Sequence, residues 1–204
     1  MYSEIVLKAK DYVSELLAPL KEKGYEFHNL DHTLDVFERA TYLWLKEWLD
    51  EEMLEMLQLA ALFHDTGFIK QYDNNEEIWA QIAEEWLKSQ NYPQDKIEIV
   101  KRIILATIPF FNSPESIACK IIKDADLDNL WRKDCFENTK KLKQEILNIK
   151  WDCLEECSWC NNVKDFILNH SFYTKTQQEE RGKQLEENKK LLKEKINDLK
   201  KTEG

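Results

Sequence analysis

Glycine and proline are scarce in this chain of 204 residues, at 4 each. So few turn-formers cannot punctuate the many tight turns of an all-β fold, and helices joined by short loops suit that scarcity better. Basic clusters are scarce as well. Lys and Arg number 29 against 39 Asp and Glu, a formal net charge of −10, with no long basic run. A general nucleic-acid surface needs clustered cations to displace counterions from phosphates, so this balance disfavours DNA or RNA as a partner. No apolar stretch approaches bilayer-spanning length, and the first ten residues show neither an apolar signal core nor a small-residue cleavage site. The 5 cysteines are an odd number and fall unevenly, at positions 119, 135, 153, 157 and 160. That pattern argues against a secreted disulfide scaffold and for a reducing compartment, so a cytoplasmic protein with no membrane partner is expected.

What is present reads as a globular, all-α chain, with 43% hydrophobic and 33% charged residues. Apolar residues recur at helical spacing from Ser3 to Lys21, and Gly24 marks the stop. A second helix carries His32, Val36, Ala40 and Leu43 on one stripe, and a third carries Leu54, Leu57, Ala61 and His64, with Gly67 as its predicted terminator. A fourth is expected after a cap at Asp73 or Asn74, and a fifth from Pro93 to a stop at Pro109. Ser113-Pro114 reads as the cap of a sixth that runs into Asp124-Ala125-Asp126. Further helices are predicted within Trp131–Lys150 and Cys160–Phe172. From Gln177 to Lys200, Leu185, Leu192, Ile196 and Leu199 thread a charged segment. This reads as an amphipathic helix packed on the body or as a homodimer seam.

In the second and third helices a histidine occupies a place where the pattern calls for an apolar residue. His64-Asp65 closes the strongly apolar Leu57–Phe63 run, which puts an ionisable pair at the edge of the core. A carboxylate there is costly unless a cation or hydrogen-bond donors compensate, and metal coordination supplies that compensation.

Three segments follow in chain order: His28-Asn29-Leu30-Asp31-His32-Thr33, His64-Asp65-Thr66-Gly67 and Asp124-Ala125-Asp126-Leu127-Asp128. Together they resemble the HD-domain superfamily of metal-dependent phosphohydrolases, whose pattern is a His, a His-Asp pair and a distant Asp. The likeness runs over about residues 25 to 190. It implies a single HD-domain helical bundle over 1–204, with a metal-binding core at about 25–135 and a C-terminal helical extension at about 136–204. It also implies His32, His64, Asp65 and Asp126 as ligands, Asp126 being the Asp that follows Ala in the family's motif.

Such a mixed nitrogen and oxygen set suits one divalent ion, with Mn, Fe, Co, Ni, Zn and Mg left open. The 4 histidines, none between His64 and His170, are too few for the second metal of some relatives. A divalent ion there acidifies water and polarises a phosphoryl oxygen, so the resemblance implies hydrolysis of a nucleotide or another small phosphorylated substrate. Asp65 is the expected water-orienting residue and Glu77 the candidate proton relay. His28, Lys70, His170 and Arg181 are the candidate substrate contacts, each with an ordinary surface or capping role as its alternative. A regulatory module that binds metal and nucleotide without turnover is the competing reading.

Two departures from relatives bear on substrate. Phe68 stands where several catalytic relatives place a charged residue, and Trp131 stands where glycine is common, so an indole at the pocket mouth is expected. Cys153, Cys157 and Cys160 have the spacing of a radical-enzyme cluster motif, but the chain lacks the strands of that barrel. Packing of small apolar groups on one helical face explains them equally well.

Overall fold

The computed structural model describes residues 2–47, 50–73, 75–108, 114–151, 155–169 and 171–202. Among these the chain forms helices, turns and no strand, as its scarcity of glycine and proline implies. In order they are α1 (Glu4–Leu17), α2 (Leu30–Lys46), α3 (Glu51–Phe63), α4 (Glu76–Ser89), α5 (Gln94–Leu105), α6 (Ile117–Asp126), α7 (Cys135–Lys150), α8 (Glu156–Asn169) and α9 (Lys175–Thr202). Short 3₁₀ turns cover Lys21–Lys23, Thr66–Ile69 and Asp128–Trp131.

Side-chain caps set where the site-bearing helices begin. The Asn29 side chain accepts the Asp31 N–H at 3.0 Å, which starts α2 two residues before His32. Asp50 accepts the Met53 N–H at 2.8 Å and opens α3. Ser116 accepts the Cys119 N–H at 3.2 Å, so α6 starts at Ile117 rather than behind Ser113-Pro114. Pro109 and Ser113 lie outside the described residues. The cap of α4 is Asn75, one or two residues later than expected, and Asn74 lies outside the described residues. The Asn75 side chain turns back to donate to the carbonyls of Gln71 (3.1 Å) and Tyr72 (3.0 Å), which closes the preceding turn.

Gly67 is not the stop of α3, which ends at Phe63. Its role is steric: a Cβ there would strike the Trp79 ring and come within 2.7 Å of the Asn75 carbonyl oxygen. Nor does Gly24 stop α1, which ends at Leu17 with Ala18 as its cap; it closes the later 3₁₀ turn Lys21–Lys23, with φ of 93°, where a side chain would be strained.

One core joins α1 to α6. Val13, Leu17, Phe37, Leu43, Leu57, Phe63, Ile104 and Ile121 are buried together in it. Burying each large aliphatic or aromatic side chain contributes about 1.5–3 kcal/mol before chain entropy is subtracted. A second apolar cluster gathers Trp131, Cys135, Cys160 and Ile167 with Leu185, Leu192 and Ile196 of α9. The stripe on α9 therefore packs on its own chain. Cys160 is a packing residue of this cluster, Cys153 and the Cys157 side chain lie outside what is described, and among the described residues no helix is long and apolar enough to cross a membrane.

Candidate metal centre

Three helix ends place the ionisable groups. His32 lies in the first turn of α2, His64 caps α3, Asp65 follows it into the 3₁₀ turn, and Asp126 is the last residue of α6. His64 Nδ1 lies 2.8 Å from the Ala61 carbonyl oxygen. An N–H on Nδ1 satisfies that carbonyl and leaves the Nε2 lone pair facing away from α3.

The Nε2 atoms face the same carboxylates. His32 Nε2 is 3.1 Å from Asp126 Oδ1 and 3.5 Å from Asp65 Oδ2. His64 Nε2 is 3.3 Å from Asp65 Oδ2 and 3.5 Å from Asp126 Oδ1. One donor atom each from His32, His64 and Asp126 falls within a mutual span of 4.8 Å, so these residues could hold a metal ion. Asp65 points its Oδ2 at both imidazoles from beside that trio.

The donor chemistry fits a divalent cation. His64 Nε2 and Asp65 Oδ2 are buried without a hydrogen-bond partner, an arrangement that costs energy unless something positive sits between them. Burial alone would push the His64 imidazole down, yet the Asp65 and Asp126 carboxylates outweigh it and hold the group well above its ordinary value. Burial would raise the Asp126 carboxyl, and the two imidazoles outweigh that and hold it low. The field at this point favours positive charge, and neutral Nε2 with carboxylate oxygen is a suitable ligand set.

A second ionisable assembly supports the first. Glu145 on α7 is completely buried and accepts the Phe27 and His28 N–H groups on Oε2, both at 2.8 Å. Its Oε1 faces His28 Nδ1 at 2.5 Å and accepts the Tyr72 hydroxyl at 3.0 Å. Burial opposes ionisation of both members, but their mutual attraction prevails, so His28 is raised and Glu145 lowered. The His28 ring also stacks on Phe68 at 4.3 Å between centroids. Phe68 thus fills its place as a platform for His28.

Asp124 and Asp128 flank Asp126 and serve a different end. Asp124 accepts the Thr174 N–H and hydroxyl, both at 2.7 Å, and the Tyr173 N–H at 3.0 Å. Asp128 accepts from Gln177 at 2.8 Å and from Arg181 at 2.8 and 3.0 Å. The outer carboxylates tie the start of α9 to the end of α6, leaving the middle one for the cluster.

The remaining sequence candidates take varied places. Arg181 is held in that two-point pair with Asp128. Lys70 is exposed just past the 3₁₀ turn, and Glu77 is exposed in the first turn of α4. Among the described residues no hydrogen bond or ion pair joins either one to the cluster. His170 lies outside the described residues. Trp131 is not at a pocket mouth; it is fully buried and packs on Phe172 in the second apolar cluster. Glu145 carries no signal in the sequence, because it sits in a polar stretch with no motif around it.

Two cavities that share Phe27 and Asn129 reach residues of the cluster. One of about 310 Å³ reaches Asp126 and His28 and is walled mainly by apolar side chains. The other, about 350 Å³, reaches His32 and contains Lys21, Arg132 and Lys141. Its cations are largely answered by acids, since Lys21 pairs with Asp31 at 3.3 Å and Arg132 with Asp35 at 2.7 Å.

The HD domain family matches residues 29–128 of the chain, a span that contains all three donor residues of the trio. No curated protein matches it in sequence. Two solved structures share its fold. The crystal structure of Bacillus subtilis YpgQ in complex with ADP is similar at a TM-score of 0.64 with 20% identity, covering 97% of this chain and 94% of that one. The crystal structure of the Lin1889 protein from Listeria innocua gives a TM-score of 0.59 with 21% identity and the same two coverages, 97% and 94%.

Proposed function

We propose that this protein, which carries an HD domain across residues 29–128, is a metal-dependent phosphohydrolase acting on a nucleotide or a small phosphate ester. The observation that carries this reading is the convergence of buried His64 Nε2 and Asp65 Oδ2, neither of which makes a hydrogen bond, on the same point as His32 and Asp126. His32, His64 and Asp126 would hold the ion, with Asp65 as the fourth ligand. A divalent ion there would acidify water and polarise a phosphoryl oxygen.

The chain's own residues supply the rest. Asp65, with Oδ2 directed at both imidazoles, orients the attacking water. His28 lines the same cavity as Asp126 and is held by Glu145, which suits it to deliver a proton to the leaving oxygen. His28 is better placed for this than Glu77, which is exposed on α4. The cations of the polar cavity are mostly paired, so substrate charge falls chiefly to the metal. The ADP bound to the YpgQ structure supports a nucleotide as the first ligand to try.

The test is phosphate and pyrophosphate release from a panel of nucleoside mono-, di- and triphosphates and simple phosphate esters, with each candidate ion in turn. Turnover in wild type that disappears in His64→Ala, with helical content retained, is the expected result. Nucleotide binding without turnover under every ion would replace the hydrolase with the regulatory module.

A further inference from the structure

We propose that the cavity between α7 and α8 is a seat for a neutral aromatic base, so that the substrate of this site is a nucleotide rather than a simple sugar or alkyl phosphate. The inference rests on the phosphohydrolase reading for what happens at the metal end, but the cavity makes its own case. It is bounded by Phe27, Leu130, Leu142, Trp159, Val163 and Phe166, and it opens onto Asp126. Its volume of about 310 Å³ is at the low end of small-molecule sites, which suits a single compact body.

Polarity along the cavity sorts ligand classes. Among its lining residues the ionisable ones are His28 and Asp126, both at the metal end. A phosphate would find no counter-charge deeper in, so the deep part takes an uncharged group. Asn129 and Thr139 line the interior and Asn162 lies exposed at the rim. Asn129 donates to the Asp126 carbonyl and Thr139 to the Phe136 carbonyl, so their oxygens act as acceptors toward the cavity. With the Asn162 amide they suit a body with hydrogen-bonding edges, which an acyl or alkyl chain lacks. A bare sugar could lay a C–H face on the rings, but its ring of hydroxyl groups would meet the aliphatic Leu130, Leu142 and Val163 side chains, which offer them no partner. A planar heterocycle with polar edges and apolar faces satisfies both kinds of wall.

The test records the Trp159 indole N–H resonance, assigned with Trp159→Phe, while adenosine, guanosine, cytidine, uridine and ribose 5-phosphate are titrated in separately. The same titrations are run on Val163→Trp, which fills the cavity, and on Asn162→Trp, an exposed rim position that does not put the core at risk. Nucleosides without phosphate should shift the resonance in wild type and ribose 5-phosphate should not. Each tryptophan variant should weaken nucleoside binding at least tenfold. If no nucleoside shifts the resonance, or if both variants bind nucleosides like wild type, the base seat is overturned. Nucleoside binding with no hydrolysis of any nucleotide would keep the base seat and remove the phosphohydrolase reading. Equal hydrolysis of nucleotides and ribose 5-phosphate without nucleoside binding would do the reverse.

Discussion

Replacing Glu145 tests whether the centre depends on a residue outside any motif. The carboxylate is completely buried and takes the Phe27 N–H, the His28 N–H, His28 Nδ1 and the Tyr72 hydroxyl. Glu145→Ala leaves two backbone N–H groups and an imidazole without their acceptor. Removing one partner of a buried charged pair typically costs about 3–5 kcal/mol. In a chain of this length that corresponds to a fall in Tm of roughly 6–20 °C. Glu145→Gln keeps the shape but turns one acceptor oxygen into a donor, so it loses the charge assistance and the acceptor on one side, a cost of about 1.5–3 kcal/mol.

The pH dependence has a definite sign. Glu145 is depressed below its ordinary 4.5, so its contribution is full above that pH and is lost as pH falls through the folded value. His28 is raised above 6.5, so its contribution is full below that pH and is lost as pH rises through the folded value. The gap between wild type and Glu145→Ala should therefore be widest between about pH 4.5 and 6.5. The assay is urea unfolding followed by circular dichroism at several pH values, in chelator so that metal does not contribute. A loss under about 1 kcal/mol for Glu145→Ala at pH 5.5 would refute the reasoning, because buried donors left unpaired cost more than that.

Two further perturbations probe the frame around the site. Gly67→Ala should destabilise by about 1–3 kcal/mol through overpacking against Trp79 and the Asn75 carbonyl, read as a lowered thermal midpoint. An unchanged midpoint would mean that the turn yields freely. Asp124→Ala removes the acceptor for three groups at Tyr173 and Thr174, so amides at the start of α9 should exchange faster than those of α3. Uniform exchange rates in the two helices would contradict a tethering role for that carboxylate.

The all-helical fold was legible because apolar residues keep a helical period through most of the chain and breakers are few. The segments around His32, His64-Asp65 and Asp126 were legible for a related reason: each interrupts an apolar stripe with an ionisable residue. Caps were read less well. Ser113 and Ser116 both precede plausible helix starts, and the hydrogen bond from the Cys119 N–H to Ser116 decides between them only in three dimensions. Glycine is often a helix stop, whereas the role of Gly67 here is clearance for Trp79 on the next helix, a contact that local pattern does not encode. Trp131 was read as a pocket residue, but the α9 stripe covers it, and Trp159 lines the cavity instead. Glu145 was invisible because its partners lie 73 to 118 positions away, and no local pattern encodes a contact of that span.

The most direct test of the central claim is metal content by mass spectrometry for wild type and His64→Ala, both purified without chelator and compared at equal helical content. The account predicts about one transition-metal equivalent per chain in wild type and its loss in the variant, because His64 Nε2 makes no hydrogen bond and faces the Asp65 and Asp126 carboxylates. Metal retained at the wild-type level in His64→Ala would contradict it.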